Sequence, residues 1–437
     1  MTRVTASSSN MQQVEHRTLK NGIPLFLIPR QDVPSATIMV TVNIGSRYES
    51  PDLSGASHFI EHLMFKGTKR RKTSVDISRE LDRFGAEYNA YTSKDATTYY
   101  VKIDAAELPR AIDLLHDMLQ HSLFDAAELD RERGVIIEEI NMYDDNPSSK
   151  MEDLLEGVVF GGNVLGEPIT GPREIIRTIP RKALMAYHAA HYIPSRTAIA
   201  IAGTISSLAQ AKLQTTFGVW REPKKSLTHT IERFQPKHGE WLAFHAKKTE
   251  QAQLGIAFHG YAASAAEVPA AKLLAHILGG SMSSRLFVEV REKRGLCYSV
   301  SAGHVSFEDT GAFLITSGLD TTRVHEATRV IWKELQKILK NGVTTTELLH
   351  AKEHIRGKMR LYFEDTSNQT SWYLRQWQAF GIPRDPEISL KELEAVTQKQ
   401  IKSVAKNLFQ AKRLFASVVG PFETREMVEA FFPFKHP

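Results

Sequence analysis

Two histidines four residues apart, His58 and His62, stand in the run His58-Phe59-Ile60-Glu61-His62. On a helix, positions i and i+4 share one face. Both imidazoles can therefore offer a neutral nitrogen to one ion, and zinc is a metal that accepts such ligands in tetrahedral geometry. Glu61 lies beside the pair without being needed as a ligand, so its carboxylate is free to take a proton from an attacking water. A catalytic zinc needs a third protein ligand and keeps its fourth position open. The stretch from Asp125 to Tyr143 reads as a helix and offers candidates. Glu132 and Glu139 are seven residues apart and nearly superposed on one face, whereas Glu138 points well away from Glu132. Glu139 as ligand with Glu132 as its support is the economical assignment. The plain alternatives are a hydrogen-bonded histidine pair on a polar helix and a solvated acidic face.

The chain contains its own control, because its second half repeats its first. When His62 is aligned with His276, Leu273, Leu274, Ile277 and Leu278 take the places of Phe59, Ile60, Leu63 and Met64. Phe84-Gly85-Ala86-Glu87-Tyr88 matches Arg294-Gly295-Leu296-Cys297-Tyr298, and Glu128-Leu129 matches Glu347-Leu348. In the copy Lys272 replaces His58, Ala275 replaces Glu61, Ala351 stands opposite Glu132 and Lys358 opposite Glu139. The apolar pattern survives while the polar cluster changes as a group, as expected of residues serving chemistry rather than the scaffold.

The elements that must carry these residues can be traced by periodicity. Leu25 to Ile28 and Ala36 to Val42 alternate as strands, and Gly55 to Phe65 has helical spacing. Ser74 to Phe84 reads as a helix opening on a Ser cap and closing at Gly85. Glu87 to Thr92 and Thr97 to Ile103 read as strands, followed by helices over Ala105 to Gln120 and Asp125 to Tyr143. Thr197 to Ala202, ending at Gly203, reads as a buried strand that matches Ala416 to Gly420. The fold class expected is α+β, with two homologous α/β-sandwich domains whose mostly antiparallel sheets are covered by helices. The aperiodic, basic stretch from Trp220 to Pro236 is the expected linker, dividing residues 1–225 from 226–437.

Composition narrows the function classes. A chain of 437 residues with 42% hydrophobic and 24% charged residues belongs to the folded, globular range. A net charge of +5 over this length is not a nucleic-acid footprint, and Lys66 to Lys72 is only a short basic run. No apolar run is long enough to span a bilayer, and Met1 to Gln13 has no apolar signal core. Cys297 is the sole cysteine, which excludes an intrachain disulfide and a multi-cysteine zinc site and fits a reducing compartment. The expected location is the cytoplasm, with the mitochondrial matrix as the alternative.

On these residues the chain resembles the pitrilysin, insulysin and mitochondrial processing peptidase family of inverzincins, in its bacterial processing-protease branch. The resemblance extends over Gly55-Ala56-Ser57, Phe65-Lys66-Gly67-Thr68, Asn89-Ala90-Tyr91-Thr92, Asp95-Ala96-Thr97-Thr98-Tyr99-Tyr100 and Leu165-Gly166-Glu167-Pro168-Ile169. In the second half it includes Leu278-Gly279-Gly280-Ser281-Met282-Ser283-Ser284-Arg285-Leu286-Phe287 and the run from Arg291 to Tyr298. It implies that His58, His62 and Glu139 bind Zn2+, that Glu61 is the general base and that Glu132 supports the site. It implies that Asn89 and Ala90 lie on an edge strand to which an extended peptide substrate adds. Arg291 and Tyr298 would face the substrate near the zinc, with Tyr298 donating to the oxyanion. Without the resemblance these two read as a surface ion pair and a core ring.

The resemblance also implies a zinc endopeptidase acting on unstructured or presequence-like peptides inside a dimeric chamber. Its metal-free second domain would contribute to substrate binding and to the dimer. The alternatives are a non-catalytic subunit, and an active subunit that needs an inactive homologue as its partner in a heterodimer. The chain departs from the family pattern at Asn163, where relatives often have His, and in a glycine-rich loop reduced to Gly279 and Gly280.

Overall fold

The computed structural model describes residues 14–223, 233–236 and 239–433. The first half begins with strands β1 (Glu15–Thr18), β2 (Pro24–Pro29) and β3 (Ser35–Val42), then helices α1 (Ala56–Met64) and α2 (Ser74–Asp82). The hairpin β4 (Glu87–Thr92) and β5 (Thr97–Asp104) leads into α3 (Leu108–His121), α4 (Ala126–Asp145), α5 (Pro147–Val159), α6 (Arg173–Thr178) and α7 (Arg181–His191). Strand β6 (Thr197–Gly203) and α8 (Ser207–Thr215) complete it. The six-stranded sheet has the order β1-β2-β6-β3-β5-β4, antiparallel except for the β2–β6 pair.

The second half holds β7 (Leu242–Ala246), β8 (Gln251–His259), α9 (Val268–Gly279), a π-helical turn over Phe287–Glu292, β9 (Cys297–Ser306) and β10 (Gly311–Asp320). Helices α10 (Val324–Asn341), α11 (Thr345–Tyr362), α12 (Thr366–Phe380), α13 (Pro386–Ala395) and α14 (Gln398–Leu408) follow, then β11 (Phe415–Gly420) and α15 (Arg425–Glu429). Its sheet order, β7-β11-β8-β10-β9, repeats that of the first sheet without the β1 strand, including one parallel pair at the same place. The internal repeat is thus a repeat of topology. Gly85 and its counterpart Gly295 both take the left-handed conformation, φ +61° and +58°, after the corresponding turns. The N-caps Asp125 and Thr344 start α4 and α11 at equivalent positions.

Each sheet buries one face against helices of its own half. Ile38, Val40, Val42, Tyr99 and Val101 pack with Phe59, Ile60 and Leu63 of α1 and with Leu115 and Met118 of α3. The opposite faces are covered by exchange, since α5 packs on β8, β11 and β7 of the second sheet, whereas α12 packs on β2, β3 and β6 of the first. The contact is close. A Cβ on Gly255 of β8 would stand 2.5 Å from Met151 Sδ and 2.9 Å from Leu155 Cδ2 of α5, so the missing side chain is what admits the helix. On the other side Tyr373 and Leu374 of α12 lie against Phe26, Ile28, Met39 and the small row Ala198, Ala200 and Ala202.

Several expectations are sharpened or corrected. The helix expected from Ser74 is capped by Thr73, whose hydroxyl accepts from Asp76 N–H while the Asp76 carboxylate accepts from Thr73 N–H. The helix expected from Ala105 begins as a 3-10 turn over Ala105–Glu107 and becomes α-helical at Leu108, where Pro109 fits the first turn. The expected boundary at 225/226 and most of the linker lie outside the described residues. The described ends of that linker are anchored: Trp220 is buried in the first core, and Phe234 packs on Phe160 and His259. Among the described residues no helix is long and apolar enough to cross a membrane.

Candidate active site

Helix α1 presents His58 and His62 on one face, and α4 crosses it with Glu132 and Glu139. Glu139 Oε2 lies 3.6 Å from His58 Nε2 and 3.5 Å from His62 Nε2. Two donors about 2.0–2.1 Å from one ion at the tetrahedral angle stand about 3.4 Å apart, so these separations suit a single zinc-sized ion. The donor atoms of the three residues lie within 4.8 Å of one another, the sole such group of three metal-capable side chains among the described residues. The chemistry of the set, two imidazoles and one carboxylate, is also that of a catalytic zinc site.

Surrounding side chains hold His62 and Glu139 in place, whereas the buried His58 Nδ1 has no hydrogen-bond partner among the described residues. Glu132, nearly inaccessible to solvent, receives His62 Nδ1 at 3.0 Å on one oxygen and Lys66 Nζ at 2.6 Å on the other. That bond leaves His62 Nε2 to face Glu139 and fixes the ring. Tyr143, one turn beyond Glu139, donates to Glu139 Oε1 at 3.0 Å. Glu61 accepts Thr92 Oγ1–H at 2.5 Å from the edge strand β4. Glu138 is exposed and receives only Asn141 nearby, in agreement with the helical phasing.

The electrostatics separate the roles. Burial, reinforced by the neighbouring His62, pushes His58 down to about 4 and so keeps its imidazole neutral. Burial acts on His62 in the same sense, but hydrogen bonds to Glu132 and Glu139 overcome it and raise His62 to about 9 in the metal-free pair. Glu139 lies below the ordinary carboxylate value, chiefly because of its bond with His62. Glu132 is lowered as well: burial raises it, and bonds to His62 and Lys66 more than reverse that. Glu61 is raised by burial, with the Thr92 bond as the main opposing influence, which moves it toward the range useful to a general base.

Residues 26–173 match the family model described as insulinase (peptidase family M16), and residues 178–355 match that described as peptidase M16 inactive domain. A Bacillus subtilis protein named uncharacterized zinc protease YmxG is 35% identical over 396 residues, 91% of this chain and 96% of that protein. The chain belongs to the insulinase family, peptidase family M16. A Streptomyces coelicolor protein also named as an uncharacterized zinc protease is 33% identical, covering 94% of this chain and 91% of its own length. In fold, this M16 chain is similar to a solved protease from Helicobacter pylori, with TM-score 0.89 at 21% identity over 94% of this chain and all of the other. The segment that matches the inactive M16 domain, 178–355, includes Lys272, Ala275 and Ala351, which stand where the first half has His58, Glu61 and Glu132.

The remaining expected residues of this M16 member fall in two other places. Asn89, exposed, and Ala90, buried, lie on β4, the outer strand of the first sheet, where Asn89 Oδ1 accepts the Ala90 N–H at 2.9 Å. Arg291 and Tyr298 come together in the second half. Arg291 Nη1 donates to the Tyr298 carbonyl at 2.6 Å, and its guanidinium stacks on the rings of Phe287 and Tyr298, 4.8 and 5.2 Å from their centroids. The side chain of Tyr298 is not the core ring that its sequence context allows, because it is 73% exposed on β9, the edge of the second sheet. No described contact joins this pair to the histidine cluster of the same chain. Thr92, Lys66 and Tyr143 were not singled out from sequence. For Tyr143 a signal existed, since it lies four residues beyond Glu139 on the same line of α4, whereas Lys66 follows the end of α1.

Proposed function

We propose that this M16 chain is a zinc-dependent endopeptidase. The observation that carries the reading is the convergence of His58, His62 and Glu139, whose ligand atoms lie within 4.8 Å of one another, with Glu61 next to His62 in sequence and bonded to Thr92. The names of its relatives as zinc proteases support the choice of metal. Zinc, when bound, supplies Lewis acidity that polarises the scissile carbonyl and acidifies the attacking water. Glu61 takes a proton from that water as its oxygen attacks the carbonyl carbon, and delivers a proton to the amine as the peptide C–N bond breaks. Glu132 orients His62, and Thr92 orients Glu61.

The substrate backbone adds to β4 at Asn89 and Ala90, so an extended peptide segment is favoured over a folded protein. Residues 1–225 form the metal-bearing domain, and 226–437 form a domain that supplies Arg291 and Tyr298. In a homodimeric processing peptidase, these two act on the partner's site, with Tyr298 donating to the developing oxyanion. A cytoplasmic setting fits the reduced state of a lone cysteine.

Metal analysis of the purified chain, followed by digestion of a peptide library, tests the reading. One zinc per chain and cleavage of peptides are expected. Glu61→Gln should keep the zinc and lose at least about a hundredfold in kcat, since it removes the base and no ligand. Full activity in that variant overturns the role of Glu61. A chain that binds no zinc and cleaves nothing favours the non-catalytic subunit.

A further inference from the structure

Helix α1 begins without a capping side chain of its own. Its N-cap is Gly55, at φ +91°, and no side chain of the cap position bonds to the first turn. The first N–H groups of a helix have no intrahelical acceptor, and leaving them buried and unpaired is costly. Here the partner comes from outside the helix. Glu49, buried, accepts Gly55 N–H on Oε2 and Ser57 N–H on Oε1, both at 2.6 Å. A carboxylate across the first turn also meets the positive end of the helix dipole. The residue after Ser57 is His58, so the clamp ends one peptide unit from the proposed ligand.

The clamp is itself anchored. Glu49 closes the 3-10 turn Ser46–Tyr48, which is tied to the β4–β5 loop by Ser46 N–H to Ser93 O at 3.1 Å and Arg47 N–H to Lys94 O at 3.0 Å. Gly45 lies so close to that loop that a Cβ would stand 2.2 Å from Ser93 O. The buried Arg47 extends its guanidinium to Asp95 at 2.9 Å and to Asp309 of the second half at 2.7 Å. On its far side the first turn of α1 is walled in. A Cβ on Gly55 would be 2.6 Å from Thr170 O, and Ser57 Oγ meets Tyr187 Oη at 3.1 Å. Every contact thus holds one short segment in one place.

We infer that Glu49 is a positioning residue for the metal site, its buried carboxylate holding the first turn of α1 so that His58 is already oriented when the ion binds. This rests on the zinc reading given above. Groups bonded directly to a ligand affect metal affinity by about tenfold to a hundredfold, and Glu49, which acts through the backbone one peptide unit away, takes the lower end.

The test is zinc affinity by competition with a chromophoric chelator, beside the melting temperature of the metal-free protein and amide exchange at Gly55 and Ser57. Glu49→Gln places an amide N–H₂ against one of the two N–H donors. It should bind zinc about tenfold more weakly, with faster exchange at one or both amides. Glu49→Asp keeps the charge one methylene short and should fall between; it serves as the readout if Glu49→Gln does not fold. A core truncation in α10, Ile331→Val or Leu335→Ala, chosen to match the fall in melting temperature, should bind zinc like the wild type. Wild-type zinc affinity in both Glu49 variants, or an equal loss in the matched core variant, overturns the inference. A wild-type chain that binds no zinc instead refutes the metal reading, and amide exchange in the metal-free protein then still reports whether Glu49 holds the turn.

Discussion

Replacing Glu132 by alanine isolates the support of the site from its ligands. The carboxylate makes two contacts, with His62 Nδ1 at 3.0 Å and Lys66 Nζ at 2.6 Å, and it has almost no access to water. Lys66 is itself partly exposed and can be solvated when its partner is lost, so its share of the cost is small. The His62 bond is the larger share. A hydrogen bond to a charged group contributes about 1.5–3 kcal/mol, which corresponds to roughly tenfold to hundredfold in a binding constant. The same bond exists in the metal-free pair, however, so only its orienting effect and its strengthening on metal binding count toward affinity. We therefore expect the lower end, a loss of about tenfold in zinc affinity for Glu132→Ala.

Glu132→Gln retains an acceptor for Nδ1–H and should lose less. Chelator competition at fixed pH on the metal-free proteins gives the comparison, with two neighbours as references. Glu139→Gln removes a ligand and should lose far more, whereas the exposed Glu138→Gln should lose nothing. Wild-type affinity in Glu132→Ala would show that packing of α1 alone fixes the His62 ring. A greater loss in Glu138→Gln than in Glu139→Gln would mean that the register assigned to α4 is wrong.

Mixing two inactive variants tests the proposed exchange of catalytic groups between subunits. If Glu61→Gln and Tyr298→Phe chains exchange freely, about half the dimers are mixed and roughly a quarter of all sites regain both residues; a mixture as inactive as its parents, with exchange confirmed by tags, refutes action across the interface. Acid stability tests the buried histidines. His116, His188 and His304 are each pushed down to about 4 by burial, well below the unfolded value of 6.5, so the unfolded chain binds protons first as pH falls. Their contribution is complete above pH 6.5 and is lost between 6.5 and about 4, at most about 3 kcal/mol for each. The melting temperature of the metal-free protein should fall across that window. His188→Gln, which keeps a donor for the Leu119 carbonyl that His188 Nε2 meets at 3.0 Å, should flatten the fall; an unchanged slope refutes the assignment for that residue.

The residues legible from sequence are those whose partners lie on the same helix or at the same repeat position. The phasing of α4 separates Glu139 from Glu138 because both lie on one uninterrupted helix that starts at the Asp125 cap. The second copy exposes the cluster because its scaffold is retained around changed polar residues. Glu49 carries no such signal, since its partners are backbone N–H groups that any residue type would supply. Thr92 looks like one more β-branched strand residue until the fold brings β4 beside α1. Strand β1 is exposed along its whole length, so it has no alternation to detect.

Helix α5 illustrates the deeper limit and its consequence. Its buried residues Met151, Leu155 and Val159 recur every fourth position, which identifies an apolar face without identifying the sheet it covers. The sheet belongs to the other half, and α12 returns the exchange. Separating the halves would therefore uncover both outer faces together, including Tyr373 and Leu374 on one side and Met151, Leu155 and Val159 on the other. At about 1.5–3 kcal/mol for each large apolar side chain, exposing those five alone approaches the whole stability of an ordinary domain. The ion pair from Arg47 to Asp309 would break in the same movement, while that from Arg47 to Asp95 stays within the first half. The interlocked halves of each chain therefore move as one body, with β4 and β9 as the outer strands of the two sheets.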